Sequence, residues 1–249
     1  LLALPLSQAA LLAEARSHGH WQQEARWDGD AGRVRCERSL RLGALTLERQ
    51  AWRDAPREVV QAALLQGLRE RGLGALPWNA ASRQLQARLN LLHQRQGDPW
   101  PDRSEAALLA TLEHWLAPHL GETQTLADLG AIPLQEALWG DLPWARRQEL
   151  ERLLPGQLQL PCGRSARIDY ANGEAVLAAK LQHLFGLEQI PPLLHGQLPV
   201  TVHLLTPAGR PAAITQDLAG FWRGSYREVR RDLRGRYPKH AWPEEPWSG

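Results

Sequence analysis

Arg223, Arg227, Arg230 and Arg234 recur at steps of four, three and four residues, with Arg236 and Lys239 close behind. Guanidiniums at helical spacing form a stripe, and a stripe of permanent, forked cations suits the successive phosphates of a nucleic acid. Trp222, Tyr226 and Tyr237 lie among them and offer faces on which unpaired bases stack. From Arg210 to His240, seven arginines and one lysine meet only Asp217, Glu228 and Asp232, so most of the chain's basic excess sits here. Two other uses fit the same residues. One is a solvated face laced by Glu228–Arg231 and Asp232–Arg236 pairs; the other is a docking face whose forks meet carboxylates of a neighbouring domain or protein. On the residues alone all three stay open. Phe221 and Trp222 fall on the apolar face and read as core, while Tyr237 and Lys239 in GRYPKH read as an irregular exposed tail able to reach a phosphate or a partner, with Tyr237 anchored in the core as an equal alternative.

Catalytic chemistry is sparse elsewhere. The chain contains no GxxxxGK[ST] loop, DExH strand, GxSxG, HExxH or GxGxxG motif, so neither phosphate-cradling nor nucleophile-elbow chemistry has a seat. His114 and His119 miss by one residue the i, i+4 spacing that shares a helix face, and Pro118 intervenes; no metal site is expected. Asp102 and Glu105 read as first-turn helix charges. Cys36 and Cys162 are isolated, which excludes a disulfide framework, fits a reducing cytoplasm and makes Cys162 a small hydrophobe. The expectation is no catalytic residue, no metal and no cofactor in this chain. The apolar opening LLALPLSQAALLAEA lacks a basic start and meets Glu14 and Arg16 well short of a membrane span. The missing initiator and the absence of Met are read as those of a piece of a longer polypeptide.

The elements that must position the stripe form an α+β chain: a three-strand piece, a mostly helical middle, and a mixed α+β module ending in a basic amphipathic helix. After a short strand over Leu1 to Leu6, Ser7 caps a helix to Arg16. WQQEARW and RVRCERSL flank DGDAG as a hairpin, and Ala44 to Trp52 adds a third strand. These make a β-rich segment over 1–54. The hairpin arginines Arg33, Arg35, Arg38 and Arg41 suit an OB-like or barrel-edge surface, but Glu37 and Glu48 favour an ordinary ion-paired strand face.

Helical spacing fills 55–154. One helix has Pro56 at its first position, Asp54 as cap, Val59 inward and Gly72 as stop. A second runs from Asn79 with Leu85, Leu89 and Leu92 inward and Arg83, Arg88 and Arg95 outward, and a third runs from Ser104 towards Pro118. Shorter helices follow over Leu134 to Leu138 and Ala145 to Leu153. The module 155–249 reads as two strands, an Asn172–Gly173 turn, a helix to Gly186, a strand over Val200 to Pro207, a re-entering AAIT strand, and one Arg-rich helix over 215–235 capped by Thr215. Tryptophans beside prolines, at 78, 100, 144, 242 and 247, read as packing anchors.

The run DLAGFWRGSYREVRRDLRGRYPKHAWPEEP, residues 217–246, resembles the C-terminal end of the HrpB family of bacterial DEAH/RHA-type ATP-dependent helicases, which closes on DLxxFWxGxYxxVxxxxxGRYPKHxWPxxP. Weaker similarity extends through LLPGQLQLPCGRSARIDY, LPWARRQEL and RLGALTLE. The resemblance implies a parent protein that couples ATP hydrolysis, with Mg, to movement on RNA or DNA through motor domains that this sequence lacks. It implies an accessory region that packs on the motor domains of the same polypeptide and offers a basic surface to single-stranded RNA or DNA, or else recruits another protein without touching nucleic acid. Arg223, Arg227, Arg230, Arg234, Arg236, Tyr237 and Lys239 are the candidate contacts.

Overall fold

The computed structural model describes residues 7–140 and 142–247; the strand expected over Leu1 to Leu6 lies outside them. The helices, in chain order, are α1 (Gln8–His18), α2 (Arg57–Arg71), α3 (Ala80–Gln96), α4 (Glu105–Ala110), α5 (Leu112–Trp115), α6 (Leu134–Trp139), α7 (Trp144–Leu153), α8 (Leu218–Arg223) and α9 (Tyr226–Arg236). The strands are β1 (His20–Asp28), β2 (Arg33–Leu42), β3 (Leu45–Ala51), β4 (Gln157–Gln159), β5 (Ser165–Asp169), β6 (Ala175–Lys180), β7 (Val200–Leu205) and β8 (Pro211–Thr215). The chain divides into two compact units that alternate along the sequence. Unit 1 takes the residues up to Asn79 together with Ser104–Gly140; unit 2 takes Ala80–Arg103 together with the residues from Leu142 onward.

In unit 1, the Ser7 hydroxyl accepts a hydrogen bond from the Ala10 amide at 3.2 Å and starts α1. The hairpin forms as its turn residues require: the Asp28 carboxylate accepts from the Ala31 amide, and Gly32 takes the left-handed φ of 61°. β1, β2 and β3 make an antiparallel meander, three strands where an OB barrel has five. Three of its arginines are committed within the sheet. Arg35 pairs with Asp28 at 2.5 Å, Arg38 donates to the Gln50 amide oxygen, and Arg41 donates to Gln22.

Helix α2 packs against β1 and β2. Pro56 stands at its cap position rather than inside the first turn, without a side-chain cap from Asp54. The buried face starts at Val60, leaving Val59 37% exposed, one position from the expected phase. Gly67 lies mid-helix, where glycine normally costs about 1 kcal/mol relative to alanine. Its reason is the Trp27 ring: a Cβ at this position would stand 2.3 Å from it. We expect Gly67→Ala to destabilise by about 1–3 kcal/mol by overpacking, read as a lower urea midpoint; a higher midpoint would mean that the ring swings aside at no cost. The helix expected from Ser104 towards Pro118 is divided into α4 and α5. Thr111 turns its hydroxyl onto the Ala107 carbonyl at 2.7 Å and sits at φ −117°, ψ 24°.

Unit 2 is built on a five-stranded sheet of order β4-β5-β6-β7-β8, antiparallel throughout except for the parallel β6–β7 pair. The helix expected between the Asn-Gly turn and Gly186 is β6 followed by a 3₁₀ turn at Leu181–Leu184. Ala175, Leu177 and Ala179 are buried in alternation, and β6 is paired on both edges, so ladder bonds and burial override the helix preference of its alanines and leucines. The turn itself forms as expected, with Asn172 at φ 60° and Gly173 at φ 75°.

Helix α3 buries Leu85, Leu89 and Leu92 as its spacing predicts, but Arg88 is buried too. Its Nε donates to the Leu154 carbonyl at 2.6 Å and its Nη2 pairs with Glu151 at 2.8 Å. Nearby, the Tyr170 hydroxyl donates to the Pro155 carbonyl at 2.7 Å. Trp100 and Trp242 are buried anchors, whereas Trp144 is 70% exposed at the start of α7. Among the described residues no helix is long and apolar enough to cross a membrane.

Candidate nucleic-acid interface

The basic run does not form one helix. Thr215 is the last residue of β8, and its hydroxyl accepts from the Asp217 amide at 3.0 Å. Asp217 is the cap of α8, accepting from the Gly220 amide at 2.8 Å. Gly224, at φ −113° and ψ −93°, ends α8, and α9 restarts at Tyr226. The break folds α8 and α9 around a cluster of rings. Trp222 lies 5.2 Å from Tyr226, 5.3 Å from Phe221 and 6.1 Å from Phe185, and Phe185 also meets Trp242 edge-on at 6.4 Å.

The tail after α9 returns onto this cluster rather than trailing free. The Tyr226 hydroxyl donates to the Pro243 carbonyl at 2.9 Å, the Trp242 indole donates to the Tyr237 carbonyl at 3.0 Å, and the Gly186 amide donates to the Pro246 carbonyl at 2.7 Å. Burial pushes the Tyr226 phenol up to about 12, and burial raises Tyr170 further. A phenol that ionises later in the fold than in the open chain stabilises the fold below its ordinary pKa near 10. That stability is lost as pH rises through the folded value. We therefore expect the melting temperature to fall between about pH 10 and 12, and less so in Tyr226→Phe; an equal fall in both would exclude Tyr226 as a source.

The predicted contacts separate into two groups. Arg223 pairs with Glu188 at 2.5 Å on the other side of the Gly224 break. Arg230, with its side chain only 21% exposed, donates from Nε to the Trp242 carbonyl at 2.8 Å and pairs with Glu244 at 3.2 Å. It straps the tail to α9, so its charge is not offered to solvent. Arg236 makes the expected pair with Asp232 at 3.1 Å. Tyr237 is half-buried, its ring against His240 at 6.3 Å. Arg227, Arg234 and Lys239 are exposed and, among the described residues, carry no carboxylate partner.

Arg231 joins this second group, since the expected Glu228–Arg231 pair does not form. At i+4 from Arg227 and i−3 from Arg234 it completes an exposed row along one side of α9. Its spacing was visible in the sequence, but assigning it to Glu228 concealed it. Forked cations in an uncompensated row bind anions arranged along a line.

Residues 115–246, more than half of the chain, match the family described as "ATP-dependent helicase C-terminal". The chain belongs to this HrpB helicase C-terminal family. Residues 19–52 match the HrpB connector region of the ATP-dependent RNA helicases. The chain is similar to the ATP-dependent RNA helicase HrpB of Escherichia coli K12, 38% identical over 224 residues, covering 88% of this chain and 27% of that protein.

Two solved structures of E. coli HrpB resemble it as well. The one described as a DExH-box NTPase superposes with a TM-score of 0.78 at 34% identity, over 99% of this chain and 31% of that one. The one described as a DEAH/RHA helicase superposes with a TM-score of 0.69 at 34% identity, over 90% and 29%. The chain thus spans under a third of the HrpB proteins it matches, and it is an accessory C-terminal region of the HrpB type, as the closing run of residues 217–246 implied.

Proposed function

We propose that this region packs on the motor domains of its own HrpB-type polypeptide and presents the exposed side of α9 to single-stranded RNA. The observation that supports this reading is the row Arg227, Arg231 and Arg234, extended by Lys239, without a carboxylate among the described residues to neutralise it. RNA is preferred to DNA because the E. coli relative is named an RNA helicase. ATP and Mg act on the motor domains of the parent polypeptide, since this sequence has no phosphate-cradling loop. We place the parent helicase in the cytoplasm.

The test is fluorescence anisotropy of a labelled single-stranded RNA over a salt series, comparing the intact chain with its Arg227→Glu, Arg231→Glu, Arg234→Glu variant. Each phosphate neutralised on a single strand contributes about −0.7 to the slope of log affinity against log salt, so the variant should lose about two units of slope. Equal slopes for the two proteins would reject α9 as the contact.

A second reading, a protein-recruiting module without nucleic-acid contact, draws on Trp144, which is 70% exposed at the start of α7. A nuclease-resistant partner captured from bacterial lysate and lost with Trp144→Ala would favour it.

A further inference from the structure

In unit 2 the strand directions gather three cations at one end of the sheet. β6 and β7 run parallel and their neighbours antiparallel, so the β4–β5 turn, the ends of β6 and β7 and the β7–β8 turn all lie at that end. The first turn is closed by the Leu160 amide donating to the Arg164 carbonyl at 2.8 Å, and the last by the Thr206 amide donating to the Arg210 carbonyl at 2.7 Å. Lys180 ends β6 opposite Leu205, on the same side as the exposed Ala178 and away from the buried Ala175, Leu177 and Ala179. The 3₁₀ turn that follows buries Leu181 and Leu184 and leaves His183 half-buried.

These cations are uncompensated. Arg164 and Arg210 are exposed, Lys180 is half-buried, and none of the three has a carboxylate partner among the described residues. The segments that build this end, residues 157–168, 175–187 and 200–214, contain no Asp or Glu. Of the acids that flank them, Glu188 pairs with Arg223, while Asp169 and Glu174 stand at the opposite end of the sheet. Burial, and after it the positive charges of Arg164 and Lys180, hold the His183 imidazole below its ordinary value near 6.5, so both cations lie within electrostatic reach of its ring. Strands stand about 4.8 Å apart, so the three intervals from β5 to β8 set Arg164 and Arg210 about 14 Å apart, with Lys180 between them. A single carboxylate occupies one cation, whereas a row of this length without acidic neighbours meets successive phosphates of one strand.

We propose that this end of the unit 2 sheet is a second phosphate-binding surface for single-stranded RNA, with Arg164, Lys180 and Arg210 along the backbone of one strand. The proposal rests on the RNA reading above for its ligand, but its residues belong to the sheet and none to α9.

His183 reports on the surface through its ring resonances in the intact chain, assigned by their loss in His183→Gln. Phosphates on the row offset the field of Arg164 and Lys180, so a saturating single-stranded oligouridylate should raise the His183 titration midpoint by about one pH unit. Arg164→Gln, Lys180→Gln and Arg210→Gln together should weaken RNA binding about tenfold at low salt and, at about 0.7 per phosphate, remove about two units from the slope of log affinity against log salt. The Arg227→Glu, Arg231→Glu, Arg234→Glu variant separates the two surfaces. With saturating RNA it should keep the His183 rise, and that rise combined with an unchanged salt slope in this variant rejects α9 while supporting the sheet surface. An oligoglutamate of the same length is the control. An unmoved midpoint with RNA, an equal rise with oligoglutamate, which assigns the surface to an acidic protein, or a salt slope unchanged by the three Gln substitutions overturns the proposal.

Discussion

Replacing Trp222 with alanine should lower the unfolding free energy by about 3–5 kcal/mol, the usual cost of emptying a buried indole. The side chain is 3% exposed and touches the rings of Phe185, Phe221 and Tyr226, so its loss opens a cavity where α8, α9 and the 3₁₀ segment before Gly186 converge. Its indole also donates to the Leu187 carbonyl at 2.8 Å, and that acceptor would lose its partner. Trp222→Phe keeps most of the ring contact and drops the hydrogen bond, so about 1–2 kcal/mol should be lost instead. Urea unfolding at constant slope reads both. A cost below about 1 kcal/mol for the alanine variant would mean that the cluster collapses to fill the gap.

Arg88→Ala should cost about 3 kcal/mol, through a cavity and an orphaned carbonyl rather than through charge. The guanidinium is enclosed, with the Leu154 carbonyl at 2.6 Å on Nε and Glu151 at 2.8 Å on Nη2. Glu151 is 57% exposed, so water replaces much of what it gives, and Glu151→Gln should cost only about 1 kcal/mol. Arg88→Lys should fall between the two, because a single ammonium cannot reach both partners in the guanidinium's geometry. Thermal or urea unfolding of the three variants orders them. If Glu151→Gln matched Arg88→Ala, the ion pair rather than the carbonyl would carry the site.

Arg88 also marks where the sequence stops being readable. Its spacing on α3 groups it with Arg83 and Arg95, and nothing local to α3 announces that Glu151 and Leu154, more than sixty residues on, will enclose it. The stretch AVLAAKLQHL failed for a similar reason. Its alanines and leucines carry helix preference, while the partner strands β5 and β7 that make it a strand lie on either side of it in sequence. Where the signal is local the reading held: the Ser7 cap, the hairpin around Asp28 to Gly32, the Asn172–Gly173 turn, and the Leu85, Leu89, Leu92 face.

The candidate interface is intermediate. The cationic stripe was legible, but the break at Gly224, inside what reads as one helix over 215–235, was not. Which arginines remain uncommitted depended on Glu188 and Glu244, whose positions come only from the folded tail and the loop before β7.

The alternation of the two units along the chain limits how this region can be inherited or dismantled. Helix α3 lies upstream of the Ser104–Gly140 stretch that returns to unit 1, yet it supplies unit 2 with Gln84 on Asp169 and Arg88 on Leu154. The segment 115–246 that defines the family begins inside unit 1 and omits α3. A genetic exchange with a single breakpoint between α3 and β4 would hand on a sheet module without its helix, and a protease nick there would leave that helix on the other fragment. The two units are therefore separate in packing but interleaved in sequence, so no single cut of the chain releases either one whole.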